Sequence, residues 1–316
     1  MPRDPLDFAC EYTPGDFMRF SFWPGPNNAW EDTLALAQHA ERTGWDGMWY
    51  ADHFMPNAAD TSGPTSECWT TLAALAALVP RVRIGPLVTG NTYRHPAVLA
   101  KMAANVDIIS GGRLVLGLGA GWQENEHTAY GIPFHSVGGR LRRLEEACEV
   151  ITRLFANETS DYEGKHYTLR DAPLAPKPVQ RPIPLLIGGG GEQKTLRIAA
   201  KYAQEWNVWG DPALLRHKMT ILDTHCEELG RNPREIQRSA IALLALSDDP
   251  AFVERVGAGG RPVLGGTAEQ VRATVQEYID AGVDEFVVPD FTLGRTADAK
   301  REAMDRFRDE IIARFR

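Results

Sequence analysis

The sequence predicts an α/β fold of the (β/α)₈, or TIM-barrel, class, with a single domain over residues 1–316 and an insertion after the fourth helix. Short apolar runs rich in β-branched or aromatic residues alternate with stretches of helical periodicity, which indicates repeated βα units and a parallel sheet. Eight such runs can be counted, and eight strands suggest a closed barrel. The length of 316 residues fits one barrel of about 250 residues with insertions.

The eight predicted strands lie at residues 18–23, 47–51, 82–89, 114–118, 183–187, 205–209, 237–245 and 285–288. The alternative is an open, doubly wound sheet, which usually has fewer strands and a nucleotide-binding fingerprint after the first one. Here residues 23–28 read WPGPNN, which predicts a loop and not a GxGxxG turn. The barrel is therefore the favoured fold.

Several of the intervening helices have readable ends. Pro96 suits a first helical position, and the SGG run at residues 110–112 ends that helix. Thr267 and Gln270 form a capping-box pattern, in which each side chain accepts a hydrogen bond from an otherwise unpaired amide. Gly282 ends the same helix, at a position where a left-handed residue is favoured.

Two segments interrupt this alternation. Residues 157–181 predict a small hairpin around residues 162–167, followed by a proline-rich strap. Residues 248–263 are rich in Gly and Pro and show no helical face. Long excursions from a compact barrel are often lids or binding loops, and surface decoration is the alternative.

Composition and charge exclude several classes of function. The formal net charge is −8, so nucleic acid and anionic membranes are unfavourable partners. No apolar run approaches the roughly 20 residues of a membrane span, and residues 1–7 do not resemble a signal peptide. Cysteines at positions 10, 68, 148 and 226 form no CxxC pair, which suits a reducing compartment. We expect a cytoplasmic protein.

The loops after the strands build the active site of a barrel, so the residues at strand ends are candidates for chemistry. Asp52 and His53 follow the second strand, where an acid and an imidazole can orient a ring and move a proton. In the alternative, Asp52 caps a turn and His53 packs. The glycines around Gly119, after the fourth strand, let a flat ligand approach the backbone or let strands pack closely.

Four glycines, Gly188 to Gly191, follow the fifth strand and open a helix. Their amides and the helix dipole favour an anion, which predicts a phosphate site; a flexible turn is the alternative. Lys194 and Arg197 add positive charge if they face the same way. The sequence contains no HxH or HExxH metal spacing, no GxSxG elbow and no P-loop, so a metal-dependent hydrolase barrel lacks its ligands and no metal is predicted.

The chain resembles the luciferase-like (bacterial luciferase-type) oxidoreductases, especially their deazaflavin-dependent branch from actinobacteria. The matching segments span roughly residues 18–290. They are AERTGWDGMWYADHF at 40–54, YRHPAVLAK at 93–101, DIISGGRLVLGLGAGW at 107–122 with Glu126, PLLIGGGG at 184–191, and the helix at 195–202. The order and spacing of these motifs make the set specific.

The resemblance implies a cofactor ring over a bulge in the third strand, with a cis peptide between Pro86 and Leu87, so that Leu87 contacts the ring. It places Thr89 at the ring edge and Asp52 against the ring. His53 would stand beside the substrate as proton donor or acceptor. Four glycines would bind the cofactor's phosphate: Gly188, Gly189, Gly190 and Gly191.

One departure from the family pattern bears on the substrate. Sugar-phosphate dehydrogenases of this branch carry a catalytic glutamate where this chain has Trp122, which argues against a sugar phosphate. Trp23, Trp209 and Phe291 at other strand ends suggest an apolar pocket, although such residues also fill barrels.

The sequence and the resemblance together predict an oxidoreductase that moves a hydride between coenzyme F420 and a small organic substrate, such as an alkene, imine or alcohol. One alternative is an FMN-dependent monooxygenase on the same scaffold. A non-catalytic cofactor-binding protein is a third. Relatives commonly form dimers, so a homodimer is expected.

Overall fold

The strands of the barrel position every loop of the site. In a computed structural model, which describes residues 18–316, the strands are β1 (Arg19–Trp23), β2 (Gly47–Tyr50), β3 (Arg83–Pro86), β4 (Thr89–Gly90), β5 (Leu116–Gly119), β6 (Thr159–Glu163), β7 (Thr168–Pro173), β8 (Leu185–Gly188), β9 (Glu205–Trp209), β10 (Gln237–Ile241), β11 (Leu243–Leu246), β12 (Val263–Gly266) and β13 (Glu285–Pro289). The sequence predictions for Cys10 and for residues 1–7 lie outside the described residues.

The helices that cover the barrel are α1 (Trp30–Thr43), α2 (Cys68–Leu78), α3 (Pro96–Ser110), α4 (Glu124–Tyr130), α5 (Val137–Ala156), α6 (Thr195–Tyr202), α7 (Pro212–Glu228), α8 (Pro250–Gly257), α9 (Ala268–Asp280) and α10 (Ala297–Glu310). Pro96 begins α3 as predicted, and the capping box of Thr267 and Gln270 begins α9. Gly282 follows α9 with φ +96°, as the sequence indicated. Within residues 18–316, no helix is long and apolar enough to cross a bilayer.

The main sheet is parallel and runs in the order β3-β2-β1-β13-β10-β9-β8-β5-β4. β3 and β4 are two halves of the predicted third strand, so the sheet has eight positions around the barrel. It closes because Ile84, in β3, pairs with Leu114, while Thr89, in β4, pairs with Leu118. The predicted (β/α)₈ fold is confirmed.

Three details of the prediction are wrong. The cis peptide joins Leu87 and Val88, one residue later than predicted, and the Leu87 amide before it keeps a strand-like hydrogen bond to the carbonyl of Tyr50 at 2.8 Å. The strand predicted at 237–245 is two strands, and the second, β11, leaves the barrel to pair with β12. Residues 248–263 contain the helix α8, which Asp249 caps at the amide of Ala251.

The N-terminal end of the barrel is filled by a buried charged network around Glu285. The carboxylate of Glu285 accepts hydrogen bonds from Ser21 at 2.6 Å and from the Trp49 indole at 2.8 Å, and it forms ion pairs with Arg19 and Arg83. Burial by itself raises the pKa of a carboxyl, but the guanidinium groups of Arg19 and Arg83 hold the pKa of Glu285 below its ordinary value. Ion pairs, and not apolar side chains, therefore fill the N-terminal end of the barrel.

An apolar layer lies above this network and separates it from the mouth. Its buried members are Trp23, Trp49, Ala51, Leu87, Val115, Leu186, Ile241 and Val287. These side chains come from seven different strand positions, so one continuous layer fills the barrel and leaves open space only at the carboxyl ends of the strands.

Glu285→Gln should lower the free energy of unfolding by roughly 3 kcal/mol, because it removes a fully buried carboxylate that compensates two partly buried arginines, Arg19 and Arg83. Urea unfolding measures this loss. Glu310→Gln is the control, since Glu310 pairs with Arg306 at 2.9 Å on the surface and should contribute less than about 1 kcal/mol. Equal losses in the two variants would contradict the structural role of the network.

Candidate functional site

A cavity of about 1150 Å³ opens at the carboxyl ends of the barrel strands. Most of the site residues that the sequence predicted line it, namely Asp52, His53, Leu87, Gly119, Gly188, Gly189 and Gly191. Thr89 and Gly190 lie next to these residues in the chain but do not form its walls. Because each candidate follows or ends a barrel strand, the closed barrel places most of them around one cavity.

His53 is held by a buried carboxylate. Its Nδ1 lies 2.8 Å from Oε1 of Glu126, which is fully buried at the start of α4. The same carboxylate accepts hydrogen bonds from the Phe54 amide at 2.7 Å and from the Tyr93 hydroxyl. Burial opposes ionisation, but the hydrogen bonds from His53, Phe54 and Tyr93 hold the pKa of Glu126 below its ordinary value.

The ionised carboxylate fixes the orientation of the imidazole. Because Glu126 has only acceptor oxygens, Nδ1 of His53 carries the proton that it donates to Glu126. The other ring nitrogen, Nε2, is then available to a ligand in the cavity that His53 lines. This arrangement suits proton exchange between His53 and a molecule bound in the cavity.

Asp52 sits beside His53 but is neutralised by an arginine. Two oxygens of Asp52 lie 2.6 and 3.1 Å from the guanidinium nitrogens of Arg94, which also contacts Glu67 at 2.8 Å. Burial raises the pKa of Asp52, and Arg94 opposes that rise. Thr89 is buried nearby and accepts a hydrogen bond from the Trp69 indole at 2.9 Å. The Asp52 side chain is held in a fixed geometry at the cavity wall.

The glycines of β5, together with Gly188 at the end of β8, permit close packing of strands, which is one of the two alternatives that the sequence left open. A Cβ added at Gly119 or Gly188 would lie 2.8 or 2.9 Å from Cγ2 of Val88, the residue after the cis bond. A Cβ at Gly117 would overlap the carbonyl oxygen of Pro86. Val88 thus fills the space that the absent side chains leave, and it forms part of the cavity wall.

The four-glycine run lies against the start of α6, but its amides are not equivalent. Gly189 adopts φ +116°, and its amide already donates to the carbonyl of Asn207 at 2.9 Å. Gly191 and Thr195 line the cavity, and no side chain caps the start of α6. The start of α6, which has no side-chain cap, therefore lies at the cavity wall, and such a helix end suits an anion.

Arg140 on α5 lines the same cavity and supplies positive charge there, which sequence reasoning missed. Arg197 pairs with Glu228 at 2.7 Å between exposed surfaces, so it does not add to the site as the sequence allowed. Arg140 is only 9% exposed, donates to the carbonyl oxygens of Gly121 and His135, and pairs with no carboxylate among residues 18–316. A buried cation without a counter-ion favours an anionic ligand.

The predicted aromatic residues lie along the opposite wall. The Trp23 ring lies 6.1 Å from that of Trp209 and 5.5 Å from that of Phe291, centre to centre. Trp122 stands at the rim, 61% exposed, with its ring 5.4 Å from the His53 ring. All four residues line the cavity, as expected of an apolar pocket.

The two insertions differ in their relation to the cavity. The β6–β7 hairpin forms as predicted, and Glu146 on α5 binds the amides of its turn, while the Tyr167 hydroxyl accepts a hydrogen bond from Asn91 at 3.1 Å. No residue of 157–181 lines the cavity, whereas Arg261, from the second insertion, does. No metal-binding group of three or more His, Cys, Asp or Glu side chains is found in the described part of the chain.

Comparison with known proteins gives a consistent result. The family model for luciferase-like monooxygenases matches residues 16–257. A curated relative, the F420-dependent glucose-6-phosphate dehydrogenase of Kineococcus radiotolerans, is 33% identical over 221 residues, which is 68% of this chain and 64% of that protein. The chain thus spans just under two thirds of the length of this relative.

Two solved structures share the fold at low identity. An F420-dependent secondary alcohol dehydrogenase in complex with an F420-acetone adduct superposes with a TM-score of 0.82 at 20% identity, over 94% of this chain and 99% of that one. A monooxygenase from Streptomyces bottropensis gives 0.80 at 20% identity, over 95% and 100%. These likenesses show the barrel fold.

Glu126→Gln should destabilise the protein at neutral pH by about 1–3 kcal/mol, because its amide nitrogen would face groups that donate hydrogen bonds. The folded-state pKa of Glu126 is lowered, so the stabilisation is present above its ordinary pKa of 4.5 and is lost as the pH falls below it. The difference in unfolding free energy between parent and variant should therefore shrink between pH 5 and pH 3.

The matched control for this experiment is Glu124→Gln, which changes an exposed carboxylate in the same helix. That variant should unfold like the parent across the whole range. A difference for Glu126→Gln that stays constant from pH 7 to pH 3 would mean that the carboxylate charge does not stabilise the site.

Proposed function

The chain belongs to the luciferase-like monooxygenase family, and on this premise we propose that it is an oxidoreductase that transfers a hydride between coenzyme F420 and a small organic substrate. The observation that supports the proposal is that one cavity is lined by His53, whose Nδ1 contacts Glu126, and by Arg140 and the uncapped start of α6, which together suit an anion beside a proton-transfer group. The F420-dependent relative and structural neighbour support this cofactor.

The residues present fit such a cofactor. A phosphate would take amides after Gly189 at the start of α6, and Arg140 would supply its counter-charge. A flat ring would lie against Leu87 and Val88, with Asp52 beside it. Thr89 does not line the cavity, so it would support the ring indirectly, through its hydrogen bond with the Trp69 indole.

Bound F420 supplies a carbon that gives or takes a hydride, where a flavin has a nitrogen. The chain's own residues must then handle the accompanying proton. When a carbonyl or imine is reduced, its heteroatom gains negative charge, and the imidazolium form of His53 would donate its Nε2 proton to that atom while Nδ1–H stays bonded to Glu126. In the oxidative direction the same nitrogen accepts the proton, and Glu126 stabilises the imidazolium that forms.

Trp122 affects this chemistry because its side chain has no group that can donate or accept a proton near neutral pH. Its indole packs edge-on to His53 and does not titrate in the neutral range, so it cannot share the proton transfer. With Trp23, Trp209 and Phe291 it gives the cavity apolar walls, which favour an alkene, imine or alcohol with an apolar body. The homodimer and the cytoplasmic location stay predictions from the sequence.

The purified protein should bind F420 more tightly than FMN. The F420 tail adds carboxylates to the phosphate, and Arg140 in the cavity wall has no carboxylate partner among residues 18–316. Titration of apoprotein with each cofactor, followed by tryptophan fluorescence, measures both affinities. Micromolar FMN binding without F420 binding would favour the monooxygenase alternative instead.

Arg140→Gln should weaken F420 binding by roughly 10- to 100-fold, since a charge-assisted hydrogen bond contributes about 1.5–3 kcal/mol. Arg142→Gln is the matched control, because Arg142 is exposed on the same helix and does not line the cavity. The same titration reports both variants. Equal affinities for the two would place the anion site elsewhere.

His53→Ala should reduce the rate of hydride transfer by about 10²–10⁴, with little change in cofactor affinity. Stopped-flow measurement with saturating F420 and the best substrate from a panel of alcohols, imines and enones gives the rate, and a melting curve reports folding. An unchanged rate with a lowered melting temperature would make His53 a structural residue.

A further inference from the structure

The cavity has two halves that the strand order separates. Going around the barrel, the third strand (β3 and β4), β5 and β8 are neighbours, and they carry the bulge, Gly119 and the four-glycine run. The opposite half is formed by β10, β13 and β1. Ile241 ends β10, Trp23 ends β1, and Phe291 follows β13. The proposed cofactor occupies the first half, so the second half is left for the substrate.

Arg261 stands at the rim of this second half. It precedes β12, and its guanidinium carbon lies 4.8 Å from the centre of the Trp209 ring and 5.8 Å from that of Phe291. No carboxylate in the described part of the chain forms an ion pair with it. The side chain of Arg261 is exposed at the rim, so its N–H groups are open to bind an anion with two parallel hydrogen bonds.

A second group in the same wall lacks a partner. The indole Nε1 of Trp23 is buried and has no hydrogen-bond partner among residues 18–316, and the Trp23 ring lies between those of Trp209 and Phe291 in the cavity wall. A buried N–H without an acceptor is unfavourable. A ligand that carries an acceptor into this corner would satisfy it.

The charges of the cavity also favour an anion here. Asp52 is the one acidic side chain among the lining residues that the structure describes, and Arg94 already binds it. Arg140 and Arg261 are the two arginines of the lining, and neither has a carboxylate partner in residues 18–316. The chain as a whole carries a net charge of −8, so this positive cavity is a local feature of the site.

We propose that the substrate is a carboxylic acid with a flat, apolar body, whose carboxylate is bound by Arg261. The apolar body lies against Trp23, Trp209 and Phe291, and an acceptor atom of the ligand reaches the Trp23 indole. A carboxylate suits this corner better than a phosphate, because a dianion loses more hydration free energy among apolar walls. The proposal rests on the proposed function only in calling this ligand the substrate.

The test compares 2-naphthoate with its neutral isostere 2-naphthamide by isothermal titration at pH 7.5. The buffer contains phosphate to fill the proposed anion site at the start of α6. The protein is used both without cofactor and loaded with F420. The parent should bind naphthoate about tenfold or more tightly than naphthamide. Arg261→Gln should abolish this preference, and Trp23→Phe should weaken naphthoate binding while the fold is kept.

Arg255→Gln is the matched control. Arg255 also rests on an aromatic ring, 5.5 Å from the centre of Phe252, but it does not line the cavity. This variant should keep the preference for naphthoate. A parent that binds both probes equally, or an Arg261→Gln variant that keeps the preference, would overturn the proposal.

Two further outcomes separate this proposal from the cofactor. If Arg261→Gln weakens F420 binding as much as Arg140→Gln does, Arg261 belongs to the cofactor site and the proposal is wrong. If F420 does not bind at all but the naphthoate preference still depends on Arg261, the carboxylate site stands while the proposed cofactor is rejected.

Discussion

The closure of the barrel depends on a close approach between its third strand and β5, and this approach requires glycine at position 117. A side chain there would overlap the carbonyl oxygen of Pro86. With glycine, Ile84 pairs with Leu114 below the bulge and Thr89 pairs with Leu118 above it. The closed ladder then sets the positions of the loops after both strands.

Those loops supply the groups that hold the two titratable residues of the second strand. Tyr93 and Arg94 follow β4, and Glu126 follows β5, while Asp52 and His53 follow β2. The closed barrel brings them together, so that each carboxylate meets a donor: Asp52 is bound by Arg94 and Glu126 by His53. Because these acids are paired, the positive charge of Arg140 and Arg261 is left to act on ligands in the cavity.

The two insertions show how different roles arise from similar sequence features. The hairpin at residues 157–181 is tied to α5 through Glu146 and to the third-strand loop through Asn91, and it stays outside the cavity. The segment at 248–263 forms α8 and then places Arg261 over Trp209. Its glycine and proline content suggested an irregular loop, but the Asp249–Pro250 start signal and the apolar spacing of Phe252, Val253 and Val256 favour a short helix.

The sequence by itself determined the positions of the barrel strands, several helix ends and the list of candidates at the strand ends. These features depend on local rules: side-chain periodicity, capping and the fact that parallel strands all end at the same side of a barrel. The capping box at Thr267 and the placement of Asp52, His53 and Gly191 at one cavity could therefore be predicted. The four-glycine run could be recognised, but not which of its amides were already used.

Only the tertiary structure decided which residues act on one another. Glu126 is 73 residues from His53, and Arg94 is 42 residues from Asp52, so no local pattern links them. The missing counter-ions of Arg140 and Arg261 are likewise a property of everything packed around them, as is the use of Gly119 to seat Val88. Local preferences set each element, whereas contacts between distant residues exist only once the barrel has closed.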